Sequence, residues 1–296
     1  MAGFHRWLIW LVMGCSVGSV CWSASAVAQE VDDQGVGEQE VNERPFGLSL
    51  RAELGFNAPV YHRIQFSQDG TYIDYVDEGG QGVLFPFQRY SVETKLSERH
   101  RLVFLWQPLD IETRVRARRD LIVDGAIFEE GRPVVFRYSF PFYRLSYDYD
   151  LSGAERTELG VGGGVQIRNA TIGVEAADGE LRRERRDVGL VPLLKFRAQH
   201  RRDSGWWFGT EIDGFYAPIR YLNISDSDVE GAIWDASLRV GGRVSEEVDA
   251  FLNLRYFGGG AEGTSSSQAE DSPSDGFTRN WINLVILSLG FQLQIR

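Results

Sequence analysis

Histidines, cysteines and paired carboxylates supply most hydrolytic, thiol and metal chemistry, and this sequence holds only four of the first and two of the second. His62 is followed by Asp69 and Asp74, and an imidazole near carboxylates can activate water. A single histidine in an acidic loop is more simply a solvated one. His100 and His200 fall in short connections at the opposite end of the predicted elements, too far away to join it. Gly160, Gly162, Gly163 and Gly164 form a dense run, but a phosphate loop needs a helix N-terminus after it. This run lies in a predicted strand, where glycine admits bending or a large neighbour. Asp124, Glu129, Glu130, Asp226 and Asp228 are acidic, yet their spacing is not that of a calcium loop. The triplets at Asn169 and Asn223 are too short to carry weight. The reading assigns no catalytic residue, no metal and no cofactor, and an enzyme is not expected.

Charged residues spaced by two carry more information. Arg89, Glu93 and Lys95 alternate with Tyr90, Val92 and Leu96, and Arg144 and Asp148 alternate with Leu145, Tyr147 and Tyr149. Lys195 and Arg197 alternate with Leu194 and Phe196, and Asp235 and Arg239 with Trp234, Leu238 and Val240. Asp110, Glu112, Arg114 and Arg116 alternate with Val103, Leu105, Leu109, Ile111, Thr113 and Val115. Period two is strand behaviour. A charged face cannot meet lipid, so these residues, with Arg168, Glu158, Glu211, Asp213 and Arg255, are the candidates to line a polar lumen. Lys95 and Lys195 are the only lysines, and planar guanidinium groups suit paired carboxylates in a partly buried interior.

The elements that position these residues read as ten strands: 46 to 56, 82 to 96, 101 to 115, 134 to 150, 156 to 174, 188 to 200, 206 to 222, 229 to 243, 249 to 260 and 278 to 296. The connections 97–100, 151–155, 201–205 and 244–248 are short. Those between them, 57–81, 116–133, 175–187, 223–228 and 261–277, are mostly longer and polar. Residues 61–76 alternate well enough to be a hairpin within the first long loop or an extra strand pair. Short turns on one side and long loops on the other predict an all-β chain closed into one antiparallel transmembrane barrel, short turns toward the periplasm. Tyr147, Tyr149, Trp206, Trp207 and Trp281 near strand ends suit interfacial girdles.

Composition and the N-terminus agree. Arg6, the apolar stretch from Trp7 to Trp22 and Ala26-Val27-Ala28 form the three parts of a secretory signal, expected to be cleaved after Ala28. The expected organisation is signal peptide 1–28, a flexible periplasmic segment 29–44 and the barrel 45–296. Cys15 and Cys21 fall in the signal, so no thiol chemistry is expected afterwards. A net charge of -11 argues against nucleic acid. No later run of 18 apolar residues exists, so only a closed barrel could span a bilayer.

Ser288, Gly290, Leu293 and Ile295 resemble the C-terminal assembly signal of outer-membrane barrels, although Arg296 follows where an aromatic usually ends the pattern. That resemblance implies handling by the barrel assembly machinery. The segments Leu102–Leu109, Phe136–Tyr149 and Val188–Leu194 resemble a group of small Gram-negative outer-membrane barrels of uncharacterised function. The resemblance runs over most of the chain after the signal and implies residence among outer-membrane lipid and lipopolysaccharide. Three functions are carried forward: a narrow channel for small polar solutes or ions, a structural or surface-interaction barrel with a plugged lumen, and an outlying rim hydrolase of the omptin type. No omptin motif is matched. The oligomeric state is not legible.

Overall fold

The computed structural model describes residues 47–218, 228–264 and 275–295. The expected signal peptide, the periplasmic lead-in and the connections 219–227 and 265–274 lie outside the described residues.

Alternation over the predicted spans produces long strands: β1 (Gly47–Phe66), β3 (Phe85–Lys95), β4 (His100–Gln107), β9 (Phe142–Asp150), β10 (Thr157–Ala176), β11 (Arg182–Arg201), β12 (Trp206–Pro218), β13 (Asp228–Arg243), β14 (Val248–Thr264) and β15 (Phe277–Ile295). Each pairs antiparallel with its neighbours in that order, and β15 closes on β1 from Leu48↔Ile295 to Phe66↔Thr278. The result is a closed ten-stranded barrel, whose lower part leaves no edge in its wall. Gly162 shows what the glycine run does: a Cβ there would strike the backbone carbonyl of Tyr147 on β9.

Two predicted spans are interrupted by proline. Span 101 to 115 divides at Pro108 into β4 and β5 (Asp110–Arg116), and span 134 to 150 divides at Pro141 into β8 (Pro133–Ser139) and β9. Proline cannot donate to a ladder, so it interrupts pairing. Beyond these prolines β5 pairs only with β8, which pairs with β10. The long loops are also shorter than expected, because strands run on past the predicted ends. The connection 57–81 holds the end of β1 and β2 (Ile73–Asp74), whose pairing with Arg63 and Ile64 makes the hairpin anticipated within 61–76. The connection 116–133 contains β6 (Leu121–Val123) and β7 (Ala126–Phe128). Asp124 and Gly125 join them at φ 45° and 72°, the two-residue turn that best matches strand twist.

Side-chain parity holds along the wall strands except β1, where the register shift between Pro59 and Tyr61 moves the inward positions from Glu53, Asn57 and Pro59 to His62, Ile64 and Phe66, and the media on the two sides of the wall exchange with height. In the lower half, toward the short turns, outward residues are apolar and exposed: Leu54, Phe56, Phe104, Leu145, Leu194, Leu238, Leu287 and Leu289. Their inward counterparts include Glu53, Arg89, Arg144, Lys195 and Asp235, all buried. An apolar exterior around a charged interior suits hydrocarbon and would be inverted in a soluble barrel, so the lower half is the membrane-spanning part of an outer-membrane-type barrel. In the upper half the order reverses. Phe136, Tyr138, Ile172, Ile282 and Leu284 point inward and are buried, while Asp110, Glu112, Arg114 and Arg137 point outward and are exposed.

This reversal corrects the faces read on 101 to 116. Asp110, Glu112 and Arg114 do not line the lumen, and Val103, Leu105, Leu109 and Ile111 do not face lipid. The latter four are inward and buried, whereas Leu102, Phe104 and Trp106 face the bilayer. Trp207 is likewise not part of a girdle: it is 1% exposed, inward, with its ring 5.6 Å from Phe251, while Trp206 faces out.

Candidate functional site

The barrel interior has two storeys. The lower one is built by inward positions of all ten wall strands and is dominated by shared ion pairs. Asp235 on β13 accepts Arg89 Nη1 at 3.1 Å and Arg144 Nη1 at 3.0 Å, and also bonds Arg255. Arg144 reaches Asp213 as well, at 2.6 Å, and donates to Gln166 Oε1 from Nε and Nη2. Arg89 donates to Gln107 Oε1 at 2.8 Å. Lys195 bridges Glu211 and Asp213, and Arg239 Nη2 donates to Glu211 at 2.7 Å. Glu53 accepts Asn253 Nδ2 at 2.6 Å and Ser288 Oγ at 3.0 Å, with Arg255 Nη2 at 3.5 Å.

Nearer the short turns, Glu93 holds Arg197 at 2.8 Å, Arg101 at 3.0 Å and Arg51 at 3.6 Å. Glu158 gathers Arg101, Arg197 and the half-exposed Lys95 at the mouth. Asp148 lies 3.8 Å from Arg101. Each of these carboxylates except Asp148 serves two or three cations, which is what buried charge requires to offset its desolvation.

Of the predicted lumen residues, Arg89, Glu93, Lys95, Arg144, Asp148, Lys195, Arg197, Glu211, Asp213, Asp235, Arg239 and Arg255 share this interior, with Lys95 at its periplasmic mouth. Arg168 keeps the inward parity but sits higher, half-buried and bonded to Asp187. Sequence reading missed Arg51, Glu53 and Arg101. The period of span 46 to 56 carried the signal for the first two, since Arg51 and Glu53 alternate with Ala52 and Leu54.

The upper storey is apolar. Phe142 and Phe257 stack with centroids 5.6 Å apart, and the Arg144 guanidinium lies 5.4 Å over the Phe142 ring, where the two storeys meet. Above them Phe136, Tyr138, Leu109, Ile111, Ile172, Ile282 and Leu284 pack around Ile73, Tyr75, Leu121, Val123 and Phe128. The last five come from β2, the segment after it and the β6–β7 hairpin, which together form a cap over the interior. Asp124 at the hairpin tip is bonded to Arg185 on β11 and to Ser67 Oγ at 2.9 Å. Thr71 and Ile122 exchange two bonds across the cap, and Arg119 clasps Glu78. That hydrogen bond holds the Glu78 carboxyl below its ordinary pKa, against a smaller opposing effect of burial.

His62 belongs to this upper core and not to a solvated loop. It lies on β1, fully buried, its Nδ1 donating to Gln81 Oε1 at 2.7 Å and its ring against Tyr75 and Tyr138. Asp69 is exposed, and Asp74 caps the turn at Val76 and Asp77 and bonds Arg63. The grouping of His62 with Asp69 and Asp74 as a rim acid-base set is therefore not assembled. His100 and His200 lie at the other end, bonded to Tyr147 and Thr157. Among the described residues no three His, Cys, Asp or Glu side chains are placed to hold a metal ion.

No protein-family model and no curated protein matches the sequence. Solved structures resemble the backbone. The outer membrane protease OmpT from Escherichia coli aligns at TM-score 0.49 and 10% identity, over 86% of this chain and 99% of its own. The transport unit of the autotransporter AIDA-I from Escherichia coli aligns at 0.40 and 8%, over 86% and 92%. The outer membrane protein OprG from Pseudomonas aeruginosa aligns at 0.33 and 8%, over 86% and 97%. Two of these neighbours, OmpT and OprG, are outer-membrane proteins of Gram-negative bacteria.

Proposed function

We propose that this protein is a closed outer-membrane barrel, anchored by its lower half and serving as a rigid support for the structure displayed outside. The observation that carries this reading is the apolar core that fills the upper interior beneath the β6–β7 cap. Ions crossing it would have to shed water against Phe142, Phe257 and Ile286, and desolvated charge in an apolar medium is strongly disfavoured. The ion pairs below favour the same outcome, because each guanidinium is committed to carboxylates within the lumen, Arg89 and Arg197 to partners on distant strands. The projecting parts, β5, β8 and the cap, then supply the surface for interaction.

A narrow channel is the second reading, supported by the charged lower storey, since rings of charge tune selectivity in pores. Single-channel recording on purified, folded barrel in planar bilayers separates the two. The closed barrel gives a silent bilayer under applied voltage. Reproducible conductance steps from the wild-type protein would instead establish the channel.

A further inference from the structure

The lipid-facing wall is not evenly convex. On β1 the outward Ala52 stands between Phe291 of β15 and Tyr90 of β3, and Tyr90 stacks on Trp106 of β4 with centroids 5.4 Å apart. In the next outward row toward the short turns, Leu50 lies between Leu293 and Val92, with Phe104 beyond. The small side chain of Ala52 among these rings leaves a groove of about 650 Å³ on the bilayer side. Val248, which follows the short connection after β13, also lines it and places it toward the periplasmic face.

We propose that this groove seats an acyl chain of a phospholipid from the periplasmic leaflet, held longer than the lipids that merely surround the barrel. The proposal rests on the membrane-spanning lower half and is independent of whether the lumen conducts. Lipid tails are as apolar as leucine, so no hydrophobic force drives association within a bilayer; close packing decides it. A chain lying in a furrow between Phe291 and the Tyr90–Trp106 stack touches atoms on three sides, and dispersion gains accumulate with each contact. The same chain on a convex wall touches one. A second copy of the barrel fits less well. Specific interfaces use roughly 20–30 residues a side, whereas eleven residues line this groove, and a convex wall cannot enter a furrow one strand wide.

The test is native mass spectrometry of barrels released by mild detergent from vesicles of phosphatidylethanolamine doped with lipopolysaccharide. Folding of every variant is checked first by heat-modifiable gel mobility. Wild type should retain one phospholipid. Ala52→Trp, which fills the furrow from the lipid side, should lower the retained fraction severalfold, and Ala52→Leu should lower it less. Leu194→Trp, on the diametrically opposite strand, should retain wild-type levels. Equal retention by Ala52→Trp and wild type, or no adduct on wild type, overturns the proposal. A lipopolysaccharide adduct, or a dimer mass lost in Ala52→Trp, overturns it in favour of another occupant.

Discussion

The Asp124 carboxylate accepts Arg185 Nε at 3.0 Å, which fastens the tip of the β6–β7 hairpin to the wall strand β11. Arg185 continues to the Phe277 carbonyl at 2.7 Å, and Arg183 Nε donates to the Asp124 carbonyl at 3.2 Å. The cap is thereby tied to β11 and β15 at once. Removing the carboxylate in Asp124→Ala should lower the opening free energy of the cap by about 1.5–3 kcal/mol, the range for bonds to charged groups. Alanine is also disfavoured at the left-handed φ of 45°, so Asp124→Asn should fall between. Amide exchange of residues 121–128 should quicken while the β1–β15 seam stays protected. Unchanged protection in Asp124→Ala would show that the latch contributes nothing.

Asp235 neutralises parts of three guanidiniums with almost no access to solvent. Asp235→Asn should therefore destabilise the barrel by about 3–5 kcal/mol, as expected when one partner of a buried ionic group is removed. Adding Arg255→Met to that variant should restore part of the loss, because the surplus charge is removed with it and neighbouring effects are not additive. Urea unfolding in lipid vesicles reads both. If the double variant is as unstable as the sum of the single ones, the three arginines do not act as a unit.

Three substitutions separate the two halves of the wall. Leu287→Arg, outward in the belt, should cost about 2–4 kcal/mol. Leu105→Ala, inward and 4% exposed, should cost about 2–5 kcal/mol through the cavity it leaves. Glu112→Leu, outward above the belt and paired with exposed Arg137, should change stability by no more than about 1 kcal/mol. Assembly yield and unfolding midpoints would show it; a large loss in Glu112→Leu would return that residue to the interior.

The Glu78 carboxyl, held by Arg119, has a lower pKa folded than unfolded. Its contribution to the cap is present above the unfolded value, about 4.3 for glutamate, and disappears as pH falls through the folded value. The pair is partly open to solvent, so the effect is small and screened by salt. Exchange protection of residues 71–79 should decline below about pH 4 in wild type, and Glu78→Gln should lack that component. A profile identical in both proteins would leave Glu78 without a role in the cap.

Alternation in the sequence determined a great deal: strand content, the ten-stranded count, the alternation of short and long connections, and the side on which Arg89, Glu93, Arg144, Lys195 and Asp235 stand. Period two fixes which side chains share a face, and a face bearing that many charges cannot meet hydrocarbon. It could not tell where along a strand hydrocarbon ends. Beyond Pro108 and Pro141 the medium outside the wall is water and the medium inside is packed side chains, so the same parity carries Asp110, Glu112 and Arg114 outward and Leu109, Ile111 and Phe136 inward. Only the tertiary structure sets that height, because it depends on β2 and the β6–β7 hairpin returning over the mouth to bury the upper apolar faces. The burial of His62 was hidden for the same reason: its environment is made by Gln81, Tyr75 and Tyr138, two of them from the cap and one from a strand far along the chain.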